Sequence, residues 1–522
     1  MFGIPTQRLA KVTVTETTSA VTLSVNPIVI AALSFTPRHL LVRTQTQATS
    51  GNPNLFVRFN GDSGSNYNSQ VFYGYATSAG AWAGTNTTAL NLIGNIDDLS
   101  NAFSVSETLF PDALSTRTHK SALCLSGRLE EVVEAGGGRW ENTAAITSVT
   151  CFLDSSTFAA GSTFELCVVD EAYVIDEEIN TGTADFDKSS ISAADGDLVI
   201  IGNLRSDVAS NIEEVSIRFN GDTGGNYTRQ RLRGNNSTSL NAAQGTTPVI
   251  AHGAGANATA DSFSGLLVHI PNFSDGSIGD RNAATLGGGH FSDSDQIIGL
   301  YNTRWNNTDA INRVEIYGLN QTSGFLANSM LSIYKVPKNL IERQELSGNA
   351  TTVTFADIPQ TYDHLELSIQ GRAVGTAVGT RAIAIEVNAD STDGNYAHQV
   401  VYGQSTTVAA SQYANENLTI IPAQTATANI FGVFVSTFYN YTKTDRHKHY
   451  LTVGGIDTSI ELISSRWENT AAISSFVVKC NADDYLAGSV FTLRGIHSTA
   501  PAAASDVAAL NSIAPADIAA VN

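Results

Sequence analysis

Two motifs recur three times along this chain of 522 residues, and both return at nearly the same interval. The first is a polar turn that reads RFNGDSGSNY, then RFNGDTGGNY, then EVNADSTDGNY. The second reads RWENTAAITSV, RWNNTDAINRV and RWENTAAISSF. The copies lie about 165 residues apart, which is the size of a whole domain and too long for a solenoid repeat. The positions that mark the three copies are Asn60, Gly61 and Trp140, then Asn220, Gly221 and Trp305, then Asn388 and Trp467.

This period predicts three tandem homologous domains, spanning residues 1–172, 173–337 and 338–497. The acidic stretch DEAYVIDEEINTGT after the first copy and the charged stretch YKVPKNLIERQELSG after the second are interpreted as linkers. Residues 498–522 are rich in alanine and contain few large apolar side chains. We expect them to form an extended or weakly helical tail that becomes ordered only against a neighbour.

The composition favours strands and turns over helices. Apolar residues make up 42% of the chain and charged residues only 15%, and short apolar alternations lie between clusters of Gly, Asn and Asp. The third copy shows such an alternation at Leu365, Leu367 and Ile369. About eight strand-like runs in each copy predict an all-β protein made of three antiparallel β-sandwich domains, each with a jelly-roll-like arrangement.

The recurring motifs are assigned to structural positions. Asn-Gly is a strong signal for a tight hairpin turn, because both residues tolerate positive φ. The third copy has Ala389 in place of the glycine, which is expected to weaken the turn. Each tryptophan is expected to pack between the two sheets of its sandwich. The Asn and Thr that follow it suit an Asx or Ser/Thr turn.

The polar turns are also weak candidates for a cation site, because their side-chain oxygens are closely spaced. Calcium needs six or more oxygen ligands, commonly including several carboxylates, whereas the first two copies offer one carboxylate each. A turn that satisfies its own hydrogen bonds is therefore the favoured interpretation, and neither a metal nor a cofactor is predicted. The candidates are Asp62, Asn66, Asp222, Asn226, Asp390 and Asp393.

A basic segment, TDRHKHYLTV, places His447 and His449 on one face of a strand. Two imidazoles can begin a metal site, but the sequence shows no third ligand beside them. The segment is therefore interpreted as the guard of an edge strand or as a contact surface.

No motif in the sequence indicates an enzyme. A nucleophile elbow, a phosphate-binding loop and a zinc-binding helix motif are all absent from it, although a carboxylate pair for glycoside hydrolysis stays open. None of the cysteines belongs to a CxxC pair. Cys124, Cys151, Cys167 and Cys480 are interpreted as small buried apolar residues.

The charge limits the classes of partner. A formal net charge of −20 repels nucleic acid, so no nucleic-acid partner is expected. The first residues lack a basic region followed by an apolar core, and no apolar run approaches the length of a membrane span. We therefore expect synthesis in a cytoplasm and no membrane partner.

Taken in order, RFNGDSGSNY, RWENTAAITSV and FAAGSTFELCVV resemble a module of structural proteins of tailed bacteriophages. The resemblance covers nearly the whole chain, and the second copy departs from it most. It implies a virion component made in the host bacterial cytoplasm, with other virion proteins, such as major capsid or tail proteins, as partners.

Two locations on a virion fit this resemblance. The sequence has no shaft like that of a tail fibre, which favours a capsid decoration or head-surface protein in which one chain imitates a trimer; a homo-oligomer also stays open. The alternative is a tail fibre or baseplate protein that recognises a host glycan or protein. Its candidate sugar-stacking residues are Tyr73, Tyr75, Trp82 and Tyr402, although the match between QVFYGYA and HQVVYGQ favours a framework role.

Overall fold

The computed structural model describes residues 4–128, 131–192, 196–236, 239–276, 279–320, 322–336, 339–375 and 379–496. It confirms the all-β class and the three tandem β-sandwich domains, because three similar groups of twelve strands follow one another along the chain. The predicted tail, residues 498–522, lies outside the described residues. Among the described helices, none is long and apolar enough to cross a membrane.

The first repeat contains twelve strands and a short helix. Its strands are β1 (Thr6–Thr13), β2 (Ala20–Ser24), β3 (Leu40–Thr46), β4 (Leu55–Phe59), β5 (Tyr67–Tyr75), β6 (Ser78–Thr87), β7 (Leu90–Ile93), β8 (Ser104–Phe110), β9 (Lys120–Arg128), β10 (Val132–Trp140), β11 (Ser148–Leu153) and β12 (Thr163–Val169). Helix α1 (Pro27–Ala31) begins where the side chain of Asn26 accepts a hydrogen bond of 2.9 Å from the backbone N–H of Ile28.

The second and third repeats follow the same plan. The strands of the second are β13 (Val174–Ile179), β14 (Phe186–Lys188), β15 (Leu198–Leu204), β16 (Ile212–Phe219), β17 (Tyr227–Asn235), β18 (Ser239–Gly245), β19 (Val249–Ala254), β20 (Ser264–Ile270), β21 (Arg281–Ser292), β22 (Asp295–Trp305), β23 (Val314–Gly318) and β24 (Met330–Lys335). Those of the third are β25 (Leu340–Glu345), β26 (Thr352–Phe355), β27 (His364–Gly371), β28 (Thr380–Val387), β29 (Tyr396–Gln404), β30 (Thr407–Tyr413), β31 (Asn417–Pro422), β32 (Gly432–Phe438), β33 (Lys448–Gly455), β34 (Ser459–Trp467), β35 (Phe476–Cys480) and β36 (Val490–Ile496). Single 3-10 turns lie at Glu171–Tyr173 and Asp393–Asn395.

Each repeat pairs an eight-stranded sheet with a four-stranded sheet. In the first repeat the large sheet has the order β1-β12-β3-β8-β9-β10-β5-β6 and the small sheet has the order β2-β11-β4-β7, and the other repeats match them. Eight of the twelve strands match a two-sheet jelly roll: the four strands of the small sheet form one sheet, and the pairs β3–β8 and β5–β6 form the other. The β9–β10 hairpin is inserted between these two pairs. The expectation of about eight strands per repeat was therefore too low.

The two charged stretches lie at the junctions between repeats, but they are more than linkers. Each contains a strand at the outer edge of its large sheet: β13 pairs with β24, and β25 pairs with β36. Charged side chains suit an edge strand because they discourage pairing with other chains along its open side. The same charges conceal the alternation by which a half-buried strand is recognised.

The central strands of the large sheets are buried on both faces. Strand β9 shows how, because Ala122 and Cys124 pack into the core of the first sandwich whereas Leu123 and Leu125 face the other way. The outward-facing residues join an apolar cluster shared by all three repeats, which includes Phe72, Leu232 and Val401. The described residues thus form three sandwich cores, a central core where the three large sheets meet, and a small additional cluster around Phe291.

Candidate functional site

The first two residues of the repeated polar turn have the same backbone conformation in all three copies. Asn60, Asn220 and Asn388 have φ values of 53°, 50° and 53°. The next residue is also left-handed in each copy, and this includes Ala389, with a φ of 57°. In the third copy the backbone N–H of Asp390 still donates to the carbonyl of Val387 at 3.0 Å. Alanine at the glycine position therefore leaves the geometry unchanged, and its effect is a cost in free energy.

The turn and the tryptophan, about 80 residues apart in sequence, are bonded to each other. In the first copy the indole Nε1–H of Trp140 donates to Oδ2 of Asp62 at 2.8 Å. Asn66 donates to the same oxygen at 2.9 Å, and the backbone N–H of Gly64 donates to Oδ1 at 2.8 Å. The corresponding indole bonds are Trp305 to Asp222 at 2.7 Å and Trp467 to Asp390 at 2.8 Å.

The turn asparagine ties the same joint to the segment after the tryptophan. Oδ1 of Asn60 accepts from the backbone N–H groups of Thr147 and Ser148 at 2.7 and 3.1 Å, and its amide donates to the carbonyl of Ala145 at 2.8 Å. Asn220 and Asn388 make the same set of contacts in their repeats. The motif is thus a joint that links three chain segments within each sandwich.

This arrangement uses three of the carboxylates that were considered as metal ligands, Asp62, Asp222 and Asp390. Burial raises the pKa of Asp62, but hydrogen bonds from Asn66 and Trp140 outweigh it and leave the pKa below its usual value. Asn226 donates to Asp222 at 2.8 Å, as Asn66 does to Asp62. Asp393 lies in the 3-10 turn that inserts an extra residue into the third copy. Across the described part of the chain, no group of three or more His, Cys, Asp or Glu residues is placed to hold a metal ion.

The tryptophans fill the sandwich cores, as predicted from their position. Trp140 is 1% exposed and its ring centroid lies 5.4 Å from that of Phe59. The Asx turn after it is also confirmed, because Oδ1 of Asn142 accepts the backbone N–H of Ala144 at 2.8 Å. All four cysteines are buried free thiols, in agreement with the sequence.

Contacts between repeats form a closed cycle, which we call the glutamine ring. In each repeat one glutamine side chain, fully buried, donates to a backbone carbonyl in the next repeat at 3.0 Å. The acceptor is always a left-handed residue in the hairpin turn that precedes the sixth strand of a repeat. The three bonds run from Gln70 to Asn236, from Gln230 to Ser405 and from Gln399 to Ala76.

A glycine in each repeat allows this close approach. A Cβ atom on Gly74 would lie 2.8 Å from Cβ of Val401, and one on Gly403 would lie 2.9 Å from Cβ of Ala242. Gly234 faces the first repeat in the same way. These glycines end the runs QVFYG, RQRLRG and QVVYG, so the shared pattern of those runs reflects packing between repeats.

Sequence reasoning missed the glutamine ring, although a signal for it is present. Each ring glutamine follows the turn tyrosine by three residues, in YNSQ, YTRQ and YAHQ. A glutamine in a strand ordinarily faces solvent, and only its recurrence at a fixed position marks it as unusual.

The basic segment of the third repeat is a contact surface and not the guard of an edge strand. Strand β33, which it enters, lies between β32 and β34 inside the large sheet. Nδ1 of His449 lies 2.9 Å from the carbonyl oxygen of Phe103 in the first repeat. The backbone N–H of His447 donates to the carbonyl oxygen of Asn101 at 3.0 Å. Burial lowers the pKa of His449 to about 4, so the imidazole is neutral at pH 7.

Charged pairs also cross between repeats. Arg494 of the third repeat donates to Asp197 of the second at 2.9 Å, and both side chains are buried. Burial raises the pKa of Asp197, but Arg494 and His269 lower it by more, so the net pKa is below its usual value and the carboxylate is ionised. His364 and Glu165 make a comparable contact of 3.2 Å between the third and first repeats. Such pairs favour one arrangement of the repeats, because a shifted repeat would leave a buried charge without its partner, at a cost in free energy.

The aromatic residues considered for sugar stacking lie around two pockets, one in the first repeat and one in the third. Tyr73, Tyr75 and Trp82 line the first pocket, and Tyr402 lines the second. In both of these repeats the pocket opens beside the hairpin turn that accepts the ring bond. These aromatic residues thus belong to strands of the framework and also line a pocket.

Comparison with known proteins identifies no family. No family model matches the chain, and no curated protein matches it. Domains LG4-5 of the mouse laminin alpha1 chain share 9% identity over 62% of this chain and 90% of that chain, at a TM-score of 0.15. A GH43 protein, BlXynB, from Bacillus licheniformis shares 8% identity over 87% of this chain and 100% of that chain, at a TM-score of 0.13. These scores are too low to support an argument about fold or function.

Proposed function

We propose that this protein is a non-enzymatic structural component of a bacteriophage virion, most specifically a capsid decoration or head-surface protein. In this proposal one chain acts as a pseudo-trimer and occupies a threefold or quasi-threefold position. Its partners are other virion proteins, the major capsid protein first among them.

The observation that carries the proposal is the closed glutamine ring. Head-to-tail contacts between equivalent units form a closed ring when the rotation between them is a whole fraction of a turn. Here three equivalent contacts of 3.0 Å join the first repeat to the second, the second to the third and the third to the first. A ring of this kind, contained in one chain, offers three similar outer surfaces without requiring three chains to assemble.

The polar contacts that recur in the three repeats also support a structural role. Asp62, Asn60 and Trp140 hold segments of one sandwich together, and Gln70 holds one repeat to the next. The four-stranded sheets alternate buried and exposed residues, as in β2 and β26, so their outer faces are available to neighbours. The recurrence of these residues is thus accounted for by architecture.

The test is the number of copies in purified particles of the virus that encodes this chain. Quantitative mass spectrometry should find tens to hundreds of copies per particle, because a shell offers many threefold positions. Antibody labelling of intact particles should decorate the head. Native mass spectrometry of the isolated chain should show a 55.1 kDa monomer. Absence from the particle would overturn the proposal.

A second candidate is a tail fibre or baseplate protein that recognises a host glycan or protein. The two aromatic pockets favour it, because concave sites with a few polar groups are typical of ligand recognition. A count of about three to eighteen copies, with antibody labelling at the tail, would support this candidate against decoration.

A further inference from the structure

The pocket of the first repeat combines aromatic, amide and carboxyl groups. It has a volume of 290 Å³ and is lined by Tyr73, Tyr75, Trp82, Asn91 and Glu134, among others. Tyr75 is 47% exposed, whereas Glu134 is 5% exposed and lies at the buried end. Oδ1 of Asn91 is buried and has no hydrogen-bond partner among the described residues. The lining therefore provides an aromatic wall, an unused acceptor and a buried carboxyl group.

The buried carboxyl group is held in place by its neighbours. Oε2 of Glu134 accepts from the backbone N–H of Gly94 at 2.6 Å and from the hydroxyl of Ser126 at 3.2 Å. Burial raises the pKa of Glu134 to about 7. Near neutral pH this group is thus present both as a hydrogen-bond donor and as an acceptor.

The third repeat has a pocket at the equivalent position. Glu461 pairs with Tyr402 in the sheet register, as Glu134 pairs with Tyr73. This pocket has a volume of 380 Å³, and Tyr413 and Thr419 also line it. Thr419 donates to Oε2 of Glu461 at 2.5 Å, and burial raises the pKa of Glu461 to about 7.

The second repeat lacks the glutamate at the corresponding position. Gly299 occupies the register position of the glutamate, opposite Arg233. The hydroxyl of Tyr301 lies 2.5 Å from Nδ1 of His252, and Nη1 of Arg233 lies 2.7 Å from the other ring nitrogen. A Cβ atom on Gly299 would lie 2.8 Å from the ring of Tyr301, so this ring stands where the glutamate side chain would begin. Because the second repeat folds without this glutamate, the buried carboxyl group is not a requirement of the fold.

We propose that the pockets of the first and third repeats each bind a neutral sugar. Aromatic rings offer flat apolar faces that suit the C–H faces of a pyranose. Amides, hydroxyls and a protonatable carboxyl group can both donate and accept, as sugar hydroxyls do. A purely cationic ligand would need hydrogen-bond acceptors only. The amides that line the first pocket can also donate hydrogen bonds, which favours a ligand that accepts them. This proposal does not depend on the virion assignment.

Saturation-transfer difference NMR with the full chain tests the proposal. The probes are glucose, galactose, mannose, rhamnose and N-acetylglucosamine, each presented alone at pH 7. At least one should give a signal. The double variant Tyr75→Ala with Tyr413→Ala should weaken that signal at least tenfold. Both residues are 47% exposed, so their removal leaves the cores intact.

The matched control is Tyr173→Ala, which removes a tyrosine that is 39% exposed and belongs to neither pocket. It should leave the signal unchanged. The proposal is overturned if none of the five sugars gives a signal, or if the double variant and the control behave alike. Binding of tetramethylammonium that the double variant abolishes, without sugar binding, would also overturn it and assign the pockets to cations.

Discussion

The side-chain amide of Gln399 donates a hydrogen bond of 3.0 Å to the carbonyl oxygen of Ala76, and this bond joins the last repeat to the first. The two residues are 323 positions apart in the sequence. Two equivalent bonds join the other repeats, so the ring closes only when all three repeats have folded and docked. This contact therefore reports on assembly of the whole chain.

Replacing Gln399 with alanine should destabilise the protein by about 1 to 3 kcal/mol, because the hydrogen bond of the buried amide is removed and the half-buried carbonyl of Ala76 loses its donor from the third repeat. The measurement is the urea concentration at the unfolding midpoint. The control is Gln404→Ala, which removes an exposed glutamine from the same strand. Equal midpoints for the two variants would show that the ring bond adds nothing to stability.

Alanine at Gly403 should also destabilise the contact between repeats. Its Cβ would lie 2.9 Å from Cβ of Ala242 and 3.2 Å from the carbonyl oxygen of Arg231. Strand β29 must therefore move away from β17 and β18 of the second repeat. Overpacking of this kind costs about 1 to 3 kcal/mol. Gly394→Ala is the control, because nothing lies within 4 Å of a Cβ there. Thermal melting that drops only for Gly403→Ala is the expected result.

The turn of the third repeat should gain stability from a glycine. Ala389 has a φ of 57°, and an L-residue in this region pays about 1 to 2 kcal/mol that glycine does not. Ala389→Gly should therefore raise the melting temperature. The reciprocal change, Gly61→Ala, should lower it, although a Cβ at Gly61 meets nothing within 4 Å. Changes of the same sign in both variants would contradict the role assigned to the backbone.

Acid should weaken the joint between turn and tryptophan. Hydrogen bonds from Trp305 and Asn226 hold the pKa of Asp222 below its usual value. A carboxyl group of this kind stabilises the fold above its unfolded pKa, near 3.9, and loses that contribution as pH falls through the folded pKa. Asp222→Asn should therefore flatten the fall of the unfolding midpoint below about pH 4. Asp293→Asn, at an exposed turn residue, should keep the wild-type slope.

Local patterns were sufficient for the fold class and for the position of each recurring motif. The alternation at Leu365, Leu367 and Ile369 identifies a strand because side chains in a strand point to opposite faces in turn. Because the motifs recur three times, the same prediction applies to all three repeats. Asn60 and Trp140 were assigned correctly to a turn and to a core because their chemistry leaves few other places for them.

The partners of these residues depended on distances that no local pattern encodes. The bond between Trp140 and Asp62, the glutamine ring and the fit of Gly403 against Ala242 all arise from the register and docking of strands far apart in sequence. The charged edge strands β13 and β25 were missed for a related reason, because pairing with β24 and β36 compensates for a weak intrinsic pattern. Strand identity follows from short-range sterics, whereas the arrangement of three sandwiches around one apolar centre follows from burying both faces of each large sheet.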